Sequence, residues 1–380
     1  MMAVNISVNN DMLTWAIARA GYELPEFAEK YPRISDWLSG AKQPTVKQLE
    51  DFSNKVYLPF GYLFLPKPPN ETISFPFFRT GRIEGTNRVN LNVYDTIIDL
   101  QRRQQWLIEY LQELDNKPLP YVGRFNSQTN PMAVVQDIRA TLGLEVSWTS
   151  GCPTWEDALD TLVRKIEEIG IIVVFNGIVG NNTHRVIPVE ECRGFVMVDE
   201  YVPFMFVNGA DAKAAQLFTI VHELAHVWLG RSAGFDFRQL MPSDDPTEQL
   251  CDQVAAEFLV PEALLRVHWT GIADIRKLAA KFKVSKIVIA RRALDLGLIS
   301  RAAFFHVYNT YMAEFAAKKQ GQESGGNFYY TARKRVSPTF AAYVDSAVKT
   351  DKLLYRDAYK LTGLSGKTYQ TFVTEHLTRT

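Results

Sequence analysis

The sequence predicts an α+β fold, mostly helical, in which one buried helix carries the chemistry and a small β-sheet lies beside it. Three observations predict it. The run Leu217–Gly230 is apolar on nearly every side, yet it holds two histidines and a glutamate. Ile171–Phe175, Gly194–Val198 and Phe204–Val207 are short β-rich runs with turn residues between them. Most of the remaining apolar residues recur at helical spacing.

The 380 residues are enough for two or three domains. With 47% hydrophobic and 22% charged residues and no low-complexity tract, extended disorder is excluded. The 42 basic and 42 acidic residues cancel, so a nucleic-acid partner would need a local patch. Cys152, Cys192 and Cys251 form no Cys-x-x-Cys pair, which argues against a disulfide framework and a thiolate zinc site and fits a reducing cytoplasm. No basic stretch followed by an apolar core opens the chain, and no run approaches about eighteen uninterrupted apolar residues, so neither export nor a membrane span is expected.

Residues 1–67 read as four or five short helices broken at Gly21, Pro32, Gly40 and Pro44. Trp37-Leu38-Ser39-Gly40, followed by Pro44-Thr45 and Gln48-Leu49, resembles the end of the helix-turn-helix domain of Xre-type repressors. The segment that would read bases offers only Arg33, Ser35 and Asp36, and seven basic side chains in residues 1–67 face seven acidic ones. The expectation is a degenerate helix-turn-helix domain used for protein contacts. Residues 68–150 form a linker and long-helix region. Phe75-Pro76-Phe77-Phe78-Arg79 is an extended strip, residues 91–114 a long helix with Tyr94, Ile97, Trp106 and Leu111 on its apolar face, and Pro131–Leu142 another helix.

A catalytic domain is expected over residues 151–300. It opens near Thr154 with an amphipathic helix that ends at Gly170. An edge of the small sheet could pair with an extended peptide and lay its carbonyl over a metal. In the apolar helix, His222 and His226 are four residues apart and, at about 3.6 residues per turn, project from one face. Such a pair can chelate zinc while the adjacent Glu223 acts as the general base on a water molecule. Two histidines leave zinc under-coordinated. Asp245-Pro246-Thr247-Glu248 opens a second helix that can pack antiparallel, offering Glu248 as the third ligand. Asp-x-x-Glu with Pro at the first helical position is also an N-terminal capping signature, and Glu257 is the reserve ligand. Asp252, one turn after Glu248, is placed to hold the outer ring N–H of a ligating histidine. His184 and His268 lie off the motif and read as surface or structural residues.

Phe218–His226, Arg193-Gly194-Phe195 and the stretch Glu248–Pro261 together resemble the ImmA/IrrE metallopeptidases, whose zinc domain is gluzincin-like. Members usually carry Ala and Asn where this chain has Cys251 and Asp252, so the second helix is a variant, closer to the thermolysin-type Glu-x-x-x-Asp. The resemblance covers roughly residues 150–300. It implies a zincin-like fold and a cytoplasmic zinc endopeptidase (HExxH) of narrow specificity acting on a regulatory protein, typically an Xre-type repressor. The alternative it implies is an antitoxin-like or transcription-regulatory partner of a PIN-like ribonuclease toxin, with the zinc fold as scaffold.

Residues 273–299 have a helix-turn-helix outline around Lys283-Val284-Ser285, with seven basic residues against two acidic ones. They are the stretch best charged to touch DNA, and they read equally as a solvated helical surface. Residues 301–380, with Gly325-Gly326 and Phe328-Tyr329-Tyr330, read as a mixed C-terminal module. Partners expected from the sequence are therefore a protein substrate or a toxin, with DNA a lesser candidate and no membrane; oligomeric state is not legible.

Overall fold

The computed structural model describes residues 6–71, 77–78, 90–235, 245–319 and 328–377. The chain divides into two compact units, one comprising Met1–Ser74 with Asn87–Tyr94, the other Phe75–Thr86 with Asp95–Thr380.

In the first unit, α1 (Asn10–Arg19), α2 (Leu24–Lys30), α3 (Arg33–Leu38) and α4 (Val46–Lys55) precede a 3-10 turn, Phe60–Phe64. Gly21 and Gly40 separate helices by taking positive φ, which costs glycine little. Asn9 caps α1, and Thr45 with Gln48 forms a reciprocal capping box on α4. Leu13, Ile17, Ile34, Leu49 and Val56 close around Phe27, whose ring meets those of Tyr22, Tyr31 and Phe52. Arg33 and Ser35 on α3 are exposed, whereas Asp36 is held by Lys42 at 2.8 Å.

The second unit holds β1 (Phe77–Phe78), α5 (Leu91–Glu113), which enters it at Asp95, α6 (Pro131–Leu142), α7 (Trp155–Glu168), β2 (Ile172–Asn176), the hairpin β3 (Ile178–Val179) and β4 (Asn182–Val186), β5 (Gly194–Met197) and β6 (Phe204–Asn208). There follow α8 (Lys213–Leu229), β7 (Ala233–Phe235), α9 (Pro246–Leu259), α10 (Glu262–His268), α11 (Ile275–Phe282), α12 (Lys286–Asp295) and α13 (Arg301–Lys319). The chain ends with α14 (Phe328–Val336), α15 (Pro338–Lys349), α16 (Tyr355–Thr362) and α17 (Gly366–Thr371), the last running into a π-type turn, Phe372–His376.

The sheet order is β1-β7-β5-β6-β2, with β5 antiparallel to both of its neighbours and β2 parallel to β6. β5 and β6 are buried along their whole length, which is why they read as continuous apolar runs rather than alternating ones. α8 lies across β5 and β6, and one core joins Leu217, Ile220, Val221 and Leu224 of α8 to Val196, Met205 and Val207 of the sheet and to Leu159 and Leu162 of α7. The stack of Tyr121 on Trp228, centroids 4.5 Å apart, together with the Trp228 Nε1 bond to Asp137, fixes the far end of α8.

Two expectations need correction. The sheet has two strands the sequence did not suggest: β7, which follows α8, pairs with β5, and β1 pairs in parallel with β7, so among the described residues the edge strands are β1 and β2. Strands of two or three residues carry no periodicity, so the sequence did not disclose them. Of the extended strip, only Phe77 and Phe78 fall within the described residues. The C-terminal module, expected to be mixed, is built from helices among its described residues; Phe328-Tyr329-Tyr330 opens α14, and Gly325-Gly326 lies outside the described residues. The module packs onto α5, α7 and the sheet, where Ser337 and Thr339 donate hydroxyl hydrogen bonds to Glu167 and the Phe340 ring meets Phe204 and Trp106. No helix among the described residues is long and apolar enough to cross a membrane.

Candidate metal centre

α8 begins after Asp211-Ala212 and ends at Gly230, whose left-handed backbone (φ 65) forms the C-cap. A β-carbon at Gly230 would lie 2.9 Å from the Gly123 Cα, so glycine is needed there twice over. Between these ends the helix buries His222, Glu223 and His226 completely or nearly so. α9 starts at the Asp245 N-cap, whose carboxylate accepts from the backbone N–H of Thr247 and Glu248. Glu248 makes no reciprocal capping bond. Its side chain is buried against the histidines.

His222 Nε2 lies 3.2 Å from His226 Nε2 and 3.1 Å from Glu248 Oε2, and His226 Nε2 lies 3.2 Å from Glu248 Oε1. Because Asp252 meets His222 while Glu248 reaches His226, the two helices run antiparallel, as expected. Asp252 Oδ1 is 3.0 Å from His222 Nδ1. An ionised carboxylate only accepts, so the ring proton belongs on Nδ1 and the Nε2 lone pair faces inward.

These contacts test whether the residues suit a metal ion. Two imidazole nitrogens and a carboxylate oxygen converge within 4.8 Å of one another. Tetrahedral bonds of about 2.0–2.1 Å place ligand atoms roughly 3.3 Å apart, close to the spacings found. An inward Nε2 lone pair facing a carboxylate oxygen is repulsive unless a proton or a metal ion lies between them. The donor set therefore fits a divalent cation.

Without an ion, the same contacts draw a proton to His222. Burial alone pushes the His222 imidazolium down, but hydrogen bonds and charge from Asp252 and Glu248 outweigh it and raise its pKa to about 10. His226, with less help, is lowered by burial. Burial works to raise Glu248, yet the two histidines hold it well below the usual carboxylate range. Glu223 is raised to about 8, chiefly by burial, and neither carboxylate oxygen finds a hydrogen-bond partner among the described residues. A buried carboxylate without partners is expensive to keep, and such groups concentrate at functional sites.

The remaining sequence candidates fall elsewhere. Glu257, the reserve ligand, pairs with Arg292 and caps the N–H of Glu262, so it is occupied away from the centre. His184 sits on the β3–β4 hairpin and His268 ends α10. Of the basic residues in 273–299, Arg292 is tied to Glu257 and the Val260 carbonyl, Arg291 to Asp295, and Lys283 to the Pro153 carbonyl above the Trp155 ring. Much of that charge is thus spent within the fold.

Gly194 is a neighbour of the centre whose role sequence reasoning missed. A β-carbon there would lie 2.4 Å from Thr219 Cγ2, 2.9 Å from the Phe206 carbonyl oxygen and 3.7 Å from Glu223 Oε1. Glycine lets β5 come against α8 beside Glu223. The signal available was a glycine opening an otherwise apolar strand.

Residues 167–294 match the family model described as the IrrE N-terminal-like domain. The chain carries an ImmA/IrrE-type metallopeptidase domain. The match spans β2 to β7, α8 and α9 and so contains every residue of the centre. A second model, described as a domain of unknown function (DUF8813), matches residues 336–375. No curated protein matches the chain. The Xre-type reading of residues 1–67 rests on the resemblance alone.

Proposed function

We propose that the protein is a zinc-dependent endopeptidase of narrow specificity. The observation that carries this reading is the convergence of His222, His226 and Glu248 beside the fully buried, unpartnered Glu223. His₂Glu with one open position suits catalytic zinc, since a closed structural site would use four protein ligands.

His222, His226 and Glu248 would hold the ion, and Asp252 keeps the His222 tautomer that points Nε2 inward. The bound ion would supply Lewis acidity that polarises a peptide carbonyl and acidifies water. Glu223 performs the proton transfer: an Oε atom accepts a proton from the attacking water and returns it to the departing amine. Burial raises its pKa, and the charge of a bound ion would work to lower it and keep the carboxylate ready to accept.

Narrow specificity follows from access. β7 and β1 cover the sheet edge beside β5, so a peptide cannot simply add itself to β5. We propose a regulatory protein as substrate, in keeping with the repressor expected from the sequence. A purely antitoxin-like or scaffold role would leave Glu223 buried at a cost and without a task.

The test is elemental analysis followed by incubation of the wild-type protein and Glu223→Gln with proteins encoded by neighbouring genes. About one zinc per chain is expected in both proteins, and a discrete cleavage fragment only with the wild type. Absence of metal from both, or equal cleavage by both, overturns the reading.

A further inference from the structure

The C-terminal module contains a second element of defined geometry. α16 stops at Thr362, three residues turn the chain, and α17 starts at Gly366. Gly363 takes a left-handed conformation (φ 67) that ends α16. The Thr362 hydroxyl donates to the Ala358 carbonyl at 2.8 Å and accepts from the Leu364 N–H at 3.3 Å, bracing the turn from inside. Ala358, Leu361, Leu364, Tyr369 and Phe372 are buried, and α15 packs against α16 and the π-type turn as a third helix. Helical structure after the turn continues through His376. The tip of the β3–β4 hairpin fixes the outside of the turn: Asn181 Nδ2 donates to the Gly363 carbonyl at 2.8 Å, and Arg335 donates to Asn181 Oδ1.

The outer surface has a different chemistry. The Arg356 and Lys360 side chains on α16 are 74% and 61% exposed, each lies 3.5 Å from Asp357, and Asp357 and Glu375 are the acidic residues between Leu354 and His376. On the second helix, Lys367 and Gln370 are exposed, one turn apart on one face, with Thr371 beside them. Neither Lys367 nor Gln370 has a side-chain partner among the described residues.

We propose that α15, α16 and α17 form a helix-turn-helix that docks on double-stranded DNA, with α17 in the major groove and Lys367 and Gln370 at the base edges. Two helices joined by a short glycine-containing turn over a third are the frame that places a second helix in that groove. Lysine reads guanine O6 and N7, and glutamine pairs with adenine N6 and N7. Arg356 and Lys360 supply phosphate contacts. The deep, narrow major groove of A-form RNA would not admit α17, so the duplex is DNA. Of the other two such outlines in the chain, α3 carries Arg33, Ser35 and a paired Asp36, and Lys283, Arg291 and Arg292 around the α11–α12 turn are bonded within the fold.

The test uses the full chain and a fluorescein-labelled duplex with a random core of about 20 base pairs, with anisotropy followed over a salt series. Binding at low salt is expected, weakening linearly in log–log form as salt rises. Lys367→Ala with Gln370→Ala is expected to weaken it about tenfold or more, and Arg356→Ala with Lys360→Ala to lower the salt slope by about two. Both variants should keep the wild-type circular dichroism melt, and Glu223→Gln should bind like the wild type, which separates this proposal from the peptidase reading. Failure of the wild type to bind any duplex overturns the proposal. So does undiminished binding by both double variants, which would place the contact elsewhere, and so does loss of a protein partner alone on substituting Lys367 and Gln370.

Discussion

Asp252 Oδ1 lies 3.0 Å from His222 Nδ1, and that contact decides which nitrogen of the imidazole faces the centre. Glu248 and Asp252 are one helical turn apart on α9, so a single helix supplies one donor to the metal position and one group that orients another donor. The arrangement is rigid because α9 is phased by its cap: Asp245 fixes the first turn, and Glu248 and Asp252 follow at fixed angles.

Asp252→Ala should lower metal affinity by about 10–100-fold while leaving the chain folded. Without the carboxylate, His222 is free to move its proton to Nε2, the atom that must be bare to ligate. Asp252→Asn is expected to fall between wild type and Ala, since an amide oxygen still accepts from Nδ1–H. Competition against a zinc chelator of known affinity measures both, and an Asp252→Ala variant with wild-type affinity would show that Asp252 does not orient His222.

Removing the metal should lower thermal stability. A ligand present at about 100 times its dissociation constant stabilises the folded state by roughly 2.7 kcal/mol, provided the unfolded chain does not bind it. The melting temperature is therefore expected to fall with chelator and to recover with added zinc. His222→Ala should melt at the same temperature with and without chelator. A wild-type melt indifferent to chelator would remove the metal from the account.

How much of this was legible in the sequence depends on distance along the chain. His222 and His226 are four residues apart on one helix, so their common face follows from periodicity alone, and Glu223 is the next residue along. Glu248 and Asp252 were reachable because the Asp245-Pro246 cap fixes where the second helix starts. Gly194 was harder, since its closeness to Glu223 is a contact between strand and helix that no local pattern records. The pairing of β1 and β7, separated by more than a hundred residues, left no periodic trace. For residues 273–299, the internal pairing of Arg291 and Arg292 is invisible in a count of side chains. Phe328-Tyr329-Tyr330 has strand composition, yet it opens a helix whose later residues pack against β2.

Gly194→Ala should destabilise the protein by about 1–3 kcal/mol and reduce peptidase activity as well. The added carbon meets Thr219 Cγ2 at 2.4 Å and the Phe206 carbonyl oxygen at 2.9 Å, and the second contact is with backbone that cannot rotate away. β5 would have to move off α8, carrying the wall beside Glu223 with it. Thr219→Ser in the same chain removes the methyl but not the carbonyl contact, so it is expected to recover only part of the loss. Denaturant unfolding of the wild type and the two variants checks this, and a Gly194→Ala midpoint equal to that of wild type would mean that strand and helix are less tightly opposed than the distances require.

Glu167 gives a dependence on pH that has nothing to do with the metal. Its carboxyl is raised from the usual 4.5, first by burial, against hydrogen bonds from Ser337 and Thr339 and the charge of Arg333 that work to lower it. The folded chain thus holds this proton to higher pH than the unfolded chain does. Below 4.5 both states are protonated and the contribution to stability is complete. As pH rises from 4.5 through the folded pKa, the unfolded state releases its proton first, and the contribution is lost. Glu167→Gln keeps the shape without the titration, so the stability difference between wild type and variant should shift against the wild type as pH rises across that window. The loss should be read where α14 and α15 dock, because Ser337 and Thr339 are the hydroxyls that face the carboxylate. Hydrogen exchange of α15 amides at two pH values measures it. Equal pH slopes for wild type and Glu167→Gln would mean that this carboxyl titrates alike in both states.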